Sequence, residues 1–361
     1  MKKRFIRLIA MFCTLILLST YCVTVFAVNS TSKETEYSGI ANAILREADV
    51  NPGAFAKIDM SRICVSNKIK AYEFNGKELT SDTDYIALTY NGKLFAWAIK
   101  IEDGANTSYQ ISDAYVNEIN PLINDNTPFA LVYDSDTCYF YDGTCLKKLG
   151  TFTEVATDRA RLYSFDKIKE SKSLLININK NFRESSSLNC YLKSNILKTQ
   201  IYYKCSVNYV TQKPYKYICW AASIACAVNS VKKTSYTAVQ VAKYKYGNTN
   251  FNKTLPYGDE VAILRHYGVV YSYQNKKPSD NIIVKNVKYG WPIVGEFDAA
   301  NVSIGHCMTV YGINVTGGYI YIMDPMVGLK SATATSSGYS YYSAIAKRNY
   351  ILKYASCRYW R

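Results

Sequence analysis

The feature that most constrains the fold is the order in which two kinds of segment follow one another along the chain. Between residues 63 and 141 the apolar segments are short, aromatic and β-branched, and Asn91-Gly92 separates two of them as a hairpin turn would. Helical patterns dominate from residue 219 to residue 290, and strand patterns return from Pro292 onward. Helices followed by antiparallel strands predict an α+β fold, and the earlier segments predict a small, mainly antiparallel β domain in front of it.

The individual elements follow from periodicity and from their stop signals. In the first part we predict one helix over 37–48, which ends before Asn51-Pro52-Gly53, and strands over 68–74, 84–90, 93–101, 129–133 and 138–141. In the second part we predict helices over 219–231, 237–245, 257–267 and 280–288, followed by strands over 292–297, 306–314, 319–323 and 350–354.

The first 27 residues form a separate segment. Basic residues precede an apolar run that ends in the small-residue pattern Val25-Phe26-Ala27, which predicts a secretory signal peptide cleaved after Ala27. The alternative is a retained membrane anchor, because the run from Phe5 to Ala27 contains only Arg7 as a charge and approaches bilayer-spanning length. With the signal removed, we expect a secreted monomer that is extracellular or cell-wall associated and has no membrane contact.

The remaining 361 − 27 = 334 residues are enough for two domains. A polar, Ser-rich stretch at 183–190 breaks the periodicity, so we place the junction between about residues 170 and 205. The sequence thus predicts a β-rich N-terminal domain over residues 28–190 and a second domain over residues 205–361.

Charge is divided between the two domains. Residues 28–205 carry 21 Lys+Arg and 22 Asp+Glu, whereas residues 206–361 carry 18 and 6, a net charge of 18 − 6 = +12. A basic surface of this kind favours anionic partners such as cell-wall polymers, although a general bias of composition would give the same excess. Nothing in the chain resembles a nucleic-acid-binding motif, so no nucleic-acid partner is expected.

Nine cysteines remain after signal cleavage, which is an odd number, so at least one thiol is unpaired. The pairing of the others does not follow from the sequence. A metal site is not expected, because the adjacent His306 and Cys307 are poorly placed to bind one ion and no closely spaced pair of cysteines is present. No cofactor is expected either.

Only two histidines, His266 and His306, are available to activate a cysteine. A thiol becomes a good nucleophile when a helix N-terminus and an imidazolium lower its pKa. Cys219 meets the first condition, since it opens the small-residue segment Cys219-Trp-Ala-Ala-Ser223, although a core cysteine would fit the same position. His306 opens a predicted strand between Gly305 and Gly312, whereas His266 lies at a helix end where an ordinary helix-terminal contact explains it. We therefore pair Cys219 with His306.

Two more side chains complete the candidate site. Asp324 ends the strand that a hairpin would pair with the His306 strand, so it is placed to orient the imidazole, although Asp-Pro is also a common turn. Gln212, seven residues before Cys219, could donate its amide to an oxyanion together with the backbone N–H of Cys219.

In this order, Gln212, Cys219-Trp220-Ala221-Ala222-Ser223, Gly305-His306 and Asp324-Pro325 resemble the papain-like cysteine peptidases. The resemblance covers roughly residues 205–361 and is greatest to compact bacterial members: bacteriocin leader peptidases, staphopain-like enzymes and plant-pathogen effector proteases. The separation of 306 − 219 = 87 residues is shorter than in papain, and the third residue is Asp rather than Asn, both of which fit the compact branch.

The resemblance implies a helical subdomain that carries Cys219, a β-subdomain that carries His306 and Asp324, and a cleft between them. It also implies a thiolate–imidazolium pair that attacks an amide carbonyl and passes through an acyl-enzyme. Secreted enzymes of this kind carry inhibitory propeptides, so residues 28–190 are interpreted as one, and a permanent domain is the alternative. Two other functions stay open: a cell-wall amidase or transacylase with the same chemistry, and a non-catalytic wall-binding protein.

Overall fold

The computed structural model describes residues 35–74, 79–103, 106–123, 128–134, 137–142, 146–150, 176–177, 201–299 and 305–359. The predicted signal peptide at residues 1–27, the Ser-rich stretch at 183–190, and Cys145 and Cys190 lie outside these residues. Below, residues 35–150 are called the N-terminal unit and residues 201–359 the C-terminal unit.

The N-terminal unit is a sheet with helices packed on its faces. Helix α1 spans residues 35–50, and two short helices follow, α2 (Pro52–Phe55) and α3 (Val116–Ile119). The strands are β1 (Ile63–Phe74), β2 (Leu79–Tyr90), β3 (Lys93–Asp103), β4 (Asn106–Ser112), β5 (Pro128–Asp134), β6 (Thr137–Tyr141), β7 (Leu146–Leu149) and β8 (Ile176–Asn177).

These strands lie in the order β4-β3-β2-β1-β5-β6-β7, with β8 paired to β5. The predicted hairpin between β2 and β3 is present, and Asn91 and Gly92 both have positive φ angles, 51° and 73°, as a turn that matches strand twist requires. The sheet differs from the mainly antiparallel arrangement at one place, because β1 and β5 pair in parallel. The chain between them, which includes β2 to β4 and α3, is long enough for that crossover.

The C-terminal unit begins with helices. They are α4 (Cys219–Lys232), α5 (Ala238–Tyr246), α6 (Glu260–His266) and α7 (Asp280–Lys288), and each lies within three residues of its predicted bounds. Thr237 and Gln240 cap the start of α5 reciprocally, and Ser279 caps α7 through its side chain. Cys219 begins α4, and the helix is buried from Trp220 to Ser230 because its small side chains allow neighbouring elements to approach closely.

The strands of the C-terminal unit form a closed ring. They are β9 (Tyr202–Lys204), β10 (Ser272–Gln274), β11 (Ile293–Ala299), β12 (Gly305–Asn314), β13 (Tyr319–Asp324), β14 (Gly328–Thr335), β15 (Gly338–Ser343) and β16 (Arg348–Cys357). Strands β11 to β15 are neighbours in chain order, and β16 pairs with both β11 and β15, which closes the ring. Strand β10 extends from β16 and β9 pairs with β12. The sequence patterns did not reveal β14 and β15.

The two units are joined by a charged and an apolar interface. The ion pairs between their described residues join a carboxylate of the N-terminal unit to a lysine of the C-terminal unit: Lys330–Glu47 at 2.9 Å, Lys330–Asp113 at 3.2 Å, Lys204–Asp49 at 3.9 Å and Lys347–Glu73 at 3.9 Å. Apolar side chains of the C-terminal unit, among them Tyr342 and Ile345, enter the core between the β-sheet and α3. The acidic side chains of the first domain thus pair directly with the excess lysines of the second.

Among the helices of the described residues, none has both the length and the apolar composition that crossing a membrane requires.

The buried ion pair between Lys330 and Glu47 generates a prediction about stability. Glu47 is 4% and Lys330 5% exposed, so Glu47→Gln removes a charge that Lys330 needs in a dry environment. We expect the free energy of unfolding to fall by about 3 to 5 kcal/mol. The loss is smaller if Asp113, the second partner of Lys330, still neutralises the lysine. Urea denaturation in a Cys219→Ala background measures it. Glu102→Gln, which removes the exposed partner of Lys100, is the matched control and should leave the unfolding midpoint unchanged. Equal midpoints for both variants would contradict the prediction.

Candidate active site

The candidate site lies where the start of helix α4 meets strand β12. Cys219 is the first residue of the helix, with Ile218 as its N-cap, so its sulfur lies beside backbone N–H groups that have no partner within the helix. His306 is the second residue of β12 and is 5% exposed. The side chains of Cys219 and His306 are hydrogen-bonded to each other.

Two further hydrogen bonds hold the helix against the strand. Ser223 lies one helical turn after Cys219 and donates its hydroxyl to the backbone carbonyl of Cys307 over 2.9 Å. Thr309 of β12 donates its own hydroxyl to the carbonyl of Ser223 over 3.2 Å. Ser223 is four residues from Cys219, and Cys307 and Thr309 are one and three residues from His306. The two bonds therefore hold the segment that carries the thiol against the segment that carries the imidazole. Sequence reasoning named Ser223 only as part of the motif and did not identify Thr309.

Asp324 contacts the opposite side of the imidazole. Its Oδ1 atom lies 2.8 Å from His306 Nε2, and it also accepts the backbone N–H of Met326 over 2.8 Å. The β12–β13 hairpin brings the two residues together, since Thr309, three residues after His306, pairs with Met323, the residue before Asp324. With Nε2 engaged by Asp324, the Nδ1 atom of His306 is the one left for the thiol.

The protonation states of the thiol and the imidazole depend on each other. Burial by itself raises the pKa of Cys219, but the hydrogen bond and charge of His306 and the backbone N–H groups of Cys307 and Trp220 reverse this and lower the pKa. Burial by itself lowers the pKa of His306, but the charge and hydrogen bond of Asp324, together with Cys219, raise it to about 10. Both shifts favour a thiolate beside an imidazolium over a neutral thiol beside a neutral imidazole.

Asp324 is the buried negative charge beneath this pair and is fully shielded from solvent. Burial by itself raises the pKa of Asp324, yet the charge and hydrogen bond of His306, the N–H of Met326 and the neighbouring Tyr341 lower it below the ordinary value. The carboxylate therefore stays ionised and holds the imidazole both in position and in its protonated form. Tyr341 had no signal in the sequence, because β15 was not predicted.

Gln212 is buried in the loop before α4, and its amide Nε2 donates to the carbonyls of Tyr215 over 3.1 Å and Lys216 over 3.0 Å. Its Oε1 atom is buried without a hydrogen-bond partner. Both N–H groups of the amide are thus used within the loop, and a role at an oxyanion, which stays a prediction, requires one of these two bonds to be released. The backbone N–H of Trp220 and that of Cys307 already reach Cys219.

The second histidine is placed elsewhere. His266 ends helix α6 and stacks on the ring of Tyr244 with a centroid distance of 3.8 Å. The cysteines of the described residues are all free thiols. Burial raises the pKa of Cys205 and Cys226 to about 12, which leaves Cys219 as the one with a lowered pKa among the described cysteines with a resolved shift. Within the described ranges no group of three or more His, Cys, Asp or Glu side chains is arranged to hold a metal ion.

Comparison with known proteins gives one match. Residues 204–353 match the model of the Peptidase_C39 like family, a range that contains Gln212, Cys219, His306 and Asp324. No curated protein matches the chain. The matched range lies within the C-terminal unit, which is thus similar to a family of peptidases.

Proposed function

We propose that the protein is a secreted cysteine peptidase in which Cys219 is the nucleophile, His306 the general base and acid, and Asp324 the residue that orients the imidazole. The contact of Cys219 with an imidazole that is itself hydrogen-bonded to a buried carboxylate carries this proposal. The match of residues 204–353 to a peptidase family supports it. The substrate class is a protein or peptide.

The chemistry follows from the protonation states. The Cys219 thiolate adds to the amide carbonyl, and the oxyanion that forms lies near backbone N–H groups at the start of α4. His306 then gives its proton to the leaving amine as the carbon–nitrogen bond breaks, which leaves an acyl-enzyme and a neutral imidazole. Water, deprotonated by His306, attacks the thioester, releases the second product and restores the thiolate–imidazolium pair.

The pairing of Cys219 with His306 is tested by labelling. A thiol-reactive epoxide should modify one cysteine, Cys219, and the modification should be lost in Cys219→Ala and fall by about a hundredfold or more in rate in His306→Ala. His266→Ala is the matched control, since His266 only stacks on Tyr244, and it should be labelled at the wild-type rate. Peptide mapping by mass spectrometry gives the site. Undiminished labelling in His306→Ala, or no labelling of wild type, would argue for the non-catalytic wall-binding alternative.

The role of Asp324 is tested by the pH dependence of Cys219 alkylation. The reactive ion pair exists above the lowered pKa of Cys219 and below that of His306, about 10. Asp324→Asn keeps a hydrogen-bond acceptor but removes the charge that raises the His306 pKa, so the alkaline limb should move to lower pH. Asp324→Ala also releases the ring, and the rate at neutral pH should fall by roughly a hundredfold. Asp280→Asn, at a carboxylate that accepts from Tyr339, is the control and should leave the profile unchanged. An alkaline limb that stays in place in Asp324→Asn would refute this role.

We also propose that the chain is exported through its first 27 residues and is made as a precursor that is cut between about residues 183 and 206. The mass and N-terminus of the protein recovered from culture medium test both steps. Cys219→Ala should start at residue 28 and remain uncut, whereas wild type should yield two fragments. Cutting of Cys219→Ala without added protease would exclude self-processing.

A cell-wall amidase or transacylase would use the same thiol and the same base. Activity on casein and on synthetic peptides, measured beside activity on cell-wall peptide fragments, separates the two. We expect hydrolysis of ordinary peptide bonds, and activity confined to cell-wall fragments would replace peptidase with amidase.

A further inference from the structure

The turn that follows Asp324 belongs to two parts of the molecule at once. At one end the backbone N–H of Met326 donates to Asp324 Oδ1 over 2.8 Å. At the other end the side chains of Met326 and Val327 pack against the apolar core of the N-terminal unit. The Asp324 carboxylate is therefore held by a turn that Met326 and Val327 anchor to the N-terminal core, with Val327 also packing against the core of the C-terminal unit.

Strand β15 makes a second connection between the site and the N-terminal unit. Tyr341 lies beside the Asp324 carboxylate. The next residue, Tyr342, is fixed by the buried side chain of Gln110 on β4, whose Nε2 donates to the Tyr342 carbonyl over 2.9 Å and whose Oε1 accepts the Tyr342 N–H over 2.8 Å. One amide thus pairs both backbone groups of Tyr342, as a neighbouring strand would. Tyr133 adds a hydrogen bond to the carbonyl of Ala344 over 3.0 Å.

The contact between the two units combines buried charge pairs with apolar packing. Lys330 is enclosed between Glu47 and Asp113, and the apolar side chains of Met326, Tyr342 and Ile345 lie against the N-terminal sheet. Separation of the units would return this apolar surface to water and break charge pairs that lie in a dry environment. Among the described residues, these contacts lead to the site through Met326 and Tyr341, which adjoin Asp324.

We infer that the N-terminal unit is a positioning domain that remains bound to the peptidase unit and holds Asp324 under His306. Gln110 is its main positioning residue, acting through Tyr342 and Tyr341. The inference rests on the proposed function of the site. Of the two roles open to residues 28–190, the inference favours the permanent domain over the propeptide. Cleavage between the units then leaves two pieces that stay bound to each other, and does not release the peptidase unit.

The first test severs the chain without changing either unit. A recognition sequence for a site-specific protease is inserted within residues 183–190 of the full-length protein, which is then cut completely. We expect the two pieces to co-elute on gel filtration, and the rates of peptide hydrolysis and of Cys219 labelling to stay within about twofold of the uncut protein. Release of the N-terminal piece with a gain in activity would identify an inhibitory propeptide, and release with unchanged activity would remove the positioning role. Either outcome overturns the inference.

The second test separates positioning from simple stabilisation. In Gln110→Ala we expect kcat to fall by roughly tenfold to a hundredfold with KM little changed, since a small misplacement of a supporting group has effects of this size. The alkaline limb of Cys219 alkylation should also move to lower pH, because a loosely held Asp324 supports the imidazolium less. Gln274→Ala, on strand β10, is the matched control and should match wild type.

A Gln110→Ala protein that is less stable but has wild-type kcat and an unchanged pH profile would overturn the positioning role. Failure of the proposed function looks different. In that case uncut wild type shows neither labelling of Cys219 nor hydrolysis, while co-elution of the two cut pieces, which needs no activity, still reports on whether the units stay together.

Discussion

The arrangement of the reactive groups depends on two hydrogen bonds that cross from helix α4 to strand β12. The Ser223 hydroxyl to the Cys307 carbonyl and the Thr309 hydroxyl to the Ser223 carbonyl are both buried, so neither has water as an alternative partner. Loss of either removes a buried hydrogen bond, at a cost of about 0.5 to 1.5 kcal/mol. Since the helix carries the thiol and the strand carries the imidazole, the same bonds that join the two layers set the geometry of the ion pair.

The unequal division of charge along the chain has a structural counterpart. Carboxylates of the N-terminal unit meet lysines of the C-terminal unit at their contact, and the most buried lysine, Lys330, has two of them. A second buried charge, that of Asp324, lies a short way along the adjoining strand and is matched by the imidazolium. Burial and the negative charges of Asp324, Glu47 and Asp113 together raise the pKa of Tyr341. These two buried charges are tolerated because each lies beside a group of opposite charge.

Much of this could be read from the sequence, and the failures have a common cause. Helices α4 to α7 and the strands β11, β12 and β13 carry strong apolar periodicity with clear stops, so their positions and the meeting of Cys219, His306 and Asp324 followed from pattern and hairpin logic. Strand β14 is rich in Ser, Thr and Ala, and β15 consists of Gly, Ser and Tyr, so neither has the repeated large aliphatic residues that mark β11, β12 and β13. They become strands because the ring and the N-terminal unit bury them. The parallel pairing of β1 with β5 and the loop contacts of Gln212 likewise depend on tertiary packing that no local pattern contains.

The closed ring of strands has a consequence for the stage of synthesis at which the candidate site is assembled. Strand β16 pairs with β11, β15 and β10, and β11 in turn backs the histidine strand. The ring cannot close until residues 348–357 have been synthesised, more than a hundred residues after the nucleophile has left the ribosome's active centre. Until then β11 lacks the strand on its far side, so the imidazole of His306 takes its place beside Cys219 only after residues 348–357 have joined the ring.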